Sequence, residues 1–146
     1  FDHVGAANAL LEATGARLYM CEKELELVKG GASGRFTVPE DVKYYRDGDT
    51  VEVGGLRFEV METPGHTPGG VTLRCGEALF TGDTLFRGSC GRTDFAGGDM
   101  RQELRSLKRI AELPGDYEVY PGHAESSMLS IEREHNPYVR HALEKM

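Results

Sequence analysis

The stretch L-R-F-E-V-M-E-T-P-G-H-T-P-G-G-V-T-L-R-C-G-E-A-L-F-T-G-D, residues 56–83, decides the fold. Leu56, Phe58 and Val60 alternate with polar residues, the period of a strand with one buried face. Val71, Leu73 and Cys75 repeat the pattern after the loop, and Gly76-Glu77 turns the chain into a further strand, Ala78 to Thr81, ending at Gly82-Asp83. Just upstream, Val51 and Val53 alternate before Gly54-Gly55, so a β-hairpin opens the run. His66 and Asp83 therefore stand at strand ends, where loops present side chains to ligands.

Outward from this block the signals turn helical. Asp99 with Gln102 resembles a capping box, and Leu104, Leu107, Ile110 and Ala111 form the apolar stripe of a helix that stops before Pro114-Gly115. Tyr117 to Tyr120 reads as a strand closed by Pro121-Gly122-His123, and the tail is helical on both sides of Asn136-Pro137. Toward the start, Val4, Ala7 and Leu10-Leu11 predict a helix over 4–14 with Gly15 as its C-cap, followed by a strand near 17–20 and a short helix over 22–29. The glycines that follow lack a G-K-[ST] ending, so the loop through Pro39 is a connection rather than a phosphate cradle. No repeat or second hydrophobic block appears, and a single domain over 1–146 is expected.

Composition narrows the function. The 146 residues carry a formal net charge of −7, which disfavours nucleic acid and anionic membrane as partners. No apolar run reaches the length of a membrane span and no signal peptide stands at the start, so the expected location is cytoplasmic. Cys21, Cys75 and Cys90 are odd in number and form no C-x-x-C pair, and are read as reduced thiols. Tyr44 and Tyr45 are expected to pack, and His135 and His141 to face solvent.

Asp2-His3, His66, Asp83 and His123 each fall in a loop at the end of an element. Imidazole and carboxylate are ligands that zinc and related divalent metals accept, and each taken alone is as easily a turn or surface residue. Their joint order carries the reading. F-D-H-V-G, T-P-G-H-T-P-G, T-G-D-T-L-F and Y-P-G-H, with G-R-T-D-F at 91–95 and the terminal E-R-E-H-N-P-Y, resemble the metallo-β-lactamase superfamily, in the branch of the hydroxyacylglutathione hydrolases or glyoxalase II.

The resemblance implies an α/β fold, an αββα sandwich with metals at one edge between the sheets. It implies two zinc ions, with iron or manganese as alternatives, held at site one by His66, at site two by Asp2, His3 and His123, and bridged by Asp83. The family motif T-H-x-H-x-D-H has two leading histidines that are not in this sequence, so the chain is expected to be the C-terminal portion of the domain, with site one incomplete, an apolar sheet face uncovered, and activity impaired. The implied chemistry is hydrolysis of a small acyl substrate, a thioester such as S-acyl glutathione, by a metal-bridging hydroxide formed from a water that Asp2 orients and whose proton it takes. Arg92 is the candidate contact to a substrate carboxylate, with an ion pair to Asp94 as its plainer use. Two alternatives stand: a persulfide dioxygenase with one iron, whose G-C-G-R-T-D-F resembles the run ending at Phe95, and a folded fragment without catalysis.

Overall fold

The structure, a computed structural model, describes residues 1–146 and contains two compact units, Phe1–Tyr45 and Arg46–Met146. In the first unit a helix α1 (Ala7–Thr14) is closed by the left-handed Gly15, whose N–H donates to Leu11 O. The helix begins later than its apolar spacing predicts, because residues 2–6 form turns. Strand β1 (Tyr19–Met20) leads through a 3-10 turn (Glu22–Glu24) into α2 (Leu25–Lys29), and β2 (Lys43–Tyr44) returns parallel to β1. Asn8 ties α1 to the long loop, its amide donating to Thr37 O at 2.7 Å and its carbonyl accepting from Thr37 N at 3.0 Å. Tyr45 packs as expected, and burial pushes its hydroxyl up to about 12; Tyr44 instead is 42% exposed.

The second unit is a six-stranded mixed sheet backed by helices. β3 (Thr50–Val53) and β4 (Leu56–Glu62) form the expected hairpin, β5 (Val71–Cys75) and β6 (Ala78–Gly82) the next one. β7 (Leu85–Phe86) and β8 (Ser89–Cys90) make a small separate hairpin, and α3 (Met100–Ala111) follows. β9 (Glu118–Pro121) then enters beside β6 in parallel, and β10 (Ser127–Met128) pairs with β9, giving the order β10-β9-β6-β5-β4-β3. α4 (Leu129–His135) and α5 (Pro137–Lys145) close the chain. No helix is long and apolar enough to cross a membrane.

Register separates the two faces of this sheet. Glu59, Arg74, Leu79 and Val119 share one row and one side; Val60, Leu73, Phe80 and Tyr120 share the neighbouring row on the other. Leu79 and Val119 meet Leu107 and Ile110 of α3, Leu129 of α4, and Val139 and Ala142 of α5 in the buried core. On the opposite face Phe80 stacks on Tyr120 with centroids 5.4 Å apart, and the two rings remain 40% and 38% exposed. Val60 in the same row is buried, so the apolar face anticipated as uncovered is exposed only in part, around these two rings.

Polar side chains finish the helix layer. Asp99 caps α3 by accepting from Arg101 N and Gln102 N, but Gln102 returns its bond to the Asp99 carboxylate, not to the backbone, so the box is only half formed. At the other end Arg133 donates to Ala111 O, Leu113 O and Gly115 O, collecting carbonyls that the helix leaves open. Between α4 and α5, Asn136 is fully buried. Its carbonyl accepts from Tyr138 N and Val139 N as the cap of α5, and its amide reaches Phe86 O, Ser89 O and Glu132 Oε2. Pro137 sits at the first helical position, where a missing N–H costs nothing. Asn136→Ala removes the cap and the amide bonds to two partly buried carbonyls, so urea denaturation should show a loss of about 2–3 kcal/mol.

Candidate metal centre

His66 reaches its position because the segment Pro64-Gly65-His66 is pressed onto the first turns of α3. Ser106 Oγ donates to Pro64 O at 2.6 Å, Asp99 N to Gly65 O at 2.8 Å, and His66 N to Glu103 Oε2 at 2.9 Å. The approach is so close that a Cβ on Gly65, whose φ is +149°, would lie 2.3 Å from Glu103 Cα. Only glycine fits there. Gly91 makes a second such approach, since a Cβ on it would lie 1.8 Å from Asp83 O.

Asp83 follows the last residue of β6, and His123 lies just beyond β9. Because these strands are parallel, both residues emerge at the same end, and Gly122 N donates to Gly82 O at 2.8 Å to join the two loops. His66 Nε2 and His123 Nε2 each stand 3.4 Å from the same oxygen, Asp83 Oδ2. His66 Nδ1 lies 2.7 Å from Arg92 O. A carbonyl can only accept, so that nitrogen carries a proton, and Nε2 is the ring nitrogen that faces Asp83. The His123 ring meets the Phe86 ring edge-on at 5.9 Å.

The spacing fits a divalent cation. Ligand atoms about 2.0–2.2 Å from a tetrahedral ion stand about 3.3–3.5 Å from one another, whereas a hydrogen-bonded imidazolium and carboxylate close to about 2.7–2.9 Å. Two nitrogens at 3.4 Å from one carboxylate oxygen match the first case. Asp83 is mostly shielded from solvent and His123 half-exposed, which leaves a side open to a substrate.

Asp2 and His3 belong to the first unit, in the turns before α1, with His3 Nε2 3.8 Å from Asp2 Oδ2 and both side chains about half-exposed. Arg92 grips Asp94 through two bonds of 2.7 Å and lies 3.8 Å over the Phe95 ring. The ion pair read as its plainer use is thus present, and holds the Asp94 carboxyl down at about 2. His135 and His141 are exposed, as expected.

Glu103 is the residue that sequence reasoning missed. It falls on the same stripe as Leu107, Ile110 and Ala111, a carboxylate at a core position, and that was the available signal. The side chain is fully buried, and Oε1 finds no hydrogen-bond partner. Burial pushes its carboxyl up to about 8, against the pull of the His66 and Gly91 amides and with Asp83 adding repulsion. Cys90, half-buried beside it, is pushed up to about 12, first by burial and then by Glu103.

The chain belongs to the metallo-beta-lactamase superfamily, whose model matches residues 1–123. Its mixed sheet and helices are the α/β architecture of that family, whose members bind divalent metals. Among the relatives, it is similar to the hydroxyacylglutathione hydrolase GloC of Haemophilus influenzae, 32% identical, over 94% of this chain and 71% of that one. Among solved structures, TTHA1623 in a di-iron-bound form is 36% identical with a TM-score of 0.79, over 94% of this chain and 72% of that one. ETHE1 from Myxococcus xanthus is 32% identical with a TM-score of 0.76, over 98% of this chain and 64% of that one.

Two outcomes follow from the buried groups. Glu103 binds its proton more tightly folded than unfolded, so its contribution to stability is complete below about pH 4.5 and is lost as pH rises through about 8. In metal-free protein, Glu103→Gln should remove that decline from the pH dependence of urea unfolding. Cys90 should alkylate with iodoacetamide at pH 8 at least about tenfold more slowly than free glutathione, as read by mass spectrometry.

Proposed function

We propose that the protein is a metal-dependent hydrolase of thioesters, S-acyl glutathione among them, with two zinc ions in its active form. The observation that carries this reading is the convergence of the His66 and His123 imidazoles on one oxygen of Asp83, each at 3.4 Å. In the proposal Asp83 serves both ions, His66 one and His123 the other. Asp2 and His3 are assigned to the second ion from the F-D-H motif alone. The name of the Haemophilus influenzae relative supports the substrate class.

Cations bound there would lower the pKa of water toward neutrality and polarise an acyl carbonyl. The chain's own residues do the rest. Arg92 O keeps the His66 ring in the tautomer that points Nε2 inward. Asp2 is proposed to orient the attacking water and accept its proton. A thiolate leaves without a strong general acid, which agrees with the absence of a further acid among the proposed residues. Arg92 is the proposed grip on a substrate carboxylate, exchanging Asp94 for it, since a guanidinium binds either in the same bidentate way.

The test uses the intact protein, with metal content and thiol release from S-acyl glutathione as readouts. Asp83→Asn and His123→Ala should each lower bound metal and reduce kcat/KM by about a hundredfold or more. Unchanged metal and rate in both variants would remove the site assignment. Two zincs with no hydrolysis of any thioester would remove the substrate class.

A second reading, a one-iron persulfide dioxygenase, is favoured by C-G-R-T-D-F at 90–95, while Y-P-G-H at 120–123 favours the hydrolase. A single iron per chain with oxygen consumption would replace the first reading by the second.

A further inference from the structure

The helix-covered side of the sheet carries a groove that none of the candidate metal ligands lines. It has a volume of about 720 Å³ and runs between α3, the outer face of β4 and β5, and the end of α5. Seven of its lining residues are arginine or lysine and two are glutamate. Three of the cations are engaged: Arg74 by Glu59, Arg109 by Asp47, and Lys108 by Glu112 at 3.7 Å. Arg57, Arg101, Arg105 and Lys145 close no ion pair, and all four are exposed; Arg57 donates to Thr50 Oγ1 at 3.4 Å, and Arg105 acts on the Asp99 carboxylate only at longer range.

This is unusual for the charge balance of the chain. With 24 carboxylates for 17 cations, a basic side chain on the surface has acids to spare as neighbours. Four unpaired cations around one groove repel one another, and a bound anion relieves that repulsion.

We infer that the groove is a binding site for a small organic bisphosphate. Each phosphate group carries about −1.5 to −2 near neutral pH, so two of them match the four cations that close no ion pair. Guanidinium forks pair with phosphate oxygens through two bonds at once, and three of the four cations are arginines. The volume lies inside the range of about 300–1,000 Å³ usual for small-molecule sites. Met61, Leu113 and Pro114 offer an apolar strip to a carbon skeleton, and no aromatic ring lines the groove to stack a nucleobase. A long polyanion or an acidic protein would meet the rest of a surface whose net charge is −7, while a small anion enters the groove alone.

The experiment titrates intact, isotope-labelled protein with fructose 1,6-bisphosphate at low salt, following amide shifts by NMR and heat by calorimetry. Saturable binding with Kd below about 1 mM is expected, with shifts centred on residues 57, 101 and 105 and affinity that falls as salt is added. Arg101→Gln combined with Arg105→Gln should weaken binding at least about tenfold, while Arg17→Gln in the first unit leaves it unchanged. Should the double variant melt early, Arg57→Gln, on a strand and away from α3, gives the same reading with a smaller loss. No saturable binding, equal affinity in every variant, or shifts centred on His66, Asp83 and His123 would each overturn the inference. Tighter binding of a hexaglutamate peptide than of the bisphosphate would overturn it in favour of an acidic polypeptide partner.

Discussion

The second unit depends on one close contact, the seating of Pro64-Gly65-His66 against α3. Three hydrogen bonds and one absent Cβ hold it, and each comes from a different turn or side of the interface. A backbone approach of this kind tolerates no slack: the helix must start at Asp99, and Glu103 must be buried for its carboxyl to meet His66 N. Burying that carboxyl is costly, and the chain tolerates it by keeping the group protonated at ordinary pH. The placement of one imidazole is thus bought with a polar group in the core.

A second buried polar network anchors the far side. Glu132, nearly inaccessible, accepts from Ser127 Oγ, Gly88 N and Asn136 Nδ2, and so ties the β7–β8 hairpin to α4 and α5. Phe86, whose ring meets His123, sits in that hairpin. Every acceptor of Glu132 is used, whereas Glu103 retains an unpaired oxygen. The Glu132 network fixes the fit of hairpin and helices, whereas the Glu103 carboxyl holds the loop that positions His66.

Much of this was legible in the sequence. The strands of residues 50–82 follow from strict alternation and glycine turns, because a two-residue period survives any tertiary context that buries one face. α3 was visible through its stripe and cap, and the motifs singled out His66, Asp83 and His123, whose side chains converge. Other features were hidden for physical reasons. β7, β8 and β10 are two-residue pairings, too short for periodicity to register. The parallel pairing of β6 with β9 is a long-range fact that no local pattern encodes. Glu103 and Asn136 look like surface residues, since burial of a carboxyl or an amide depends on partners 37 and 50 positions away. The half-formed box at Asp99 was misjudged because its backbone N–H is taken by Gly65 O, a contact absent from the isolated helix.

The parallel entry of β9 beside β6 has a kinetic meaning as well. Asp83 and His123 become neighbours only after the whole intervening crossover, hairpin and helix included, has been laid down. Closing so long a loop comes late in folding, and the pocket is therefore among the last parts of the unit to mature. By the same token, a transient peeling of β9 would dismantle it before the hairpins of residues 50–82 loosen. Slow release of a captured ion would then report on the breathing of a single strand, one place in from the sheet edge, rather than on the melting of the molecule.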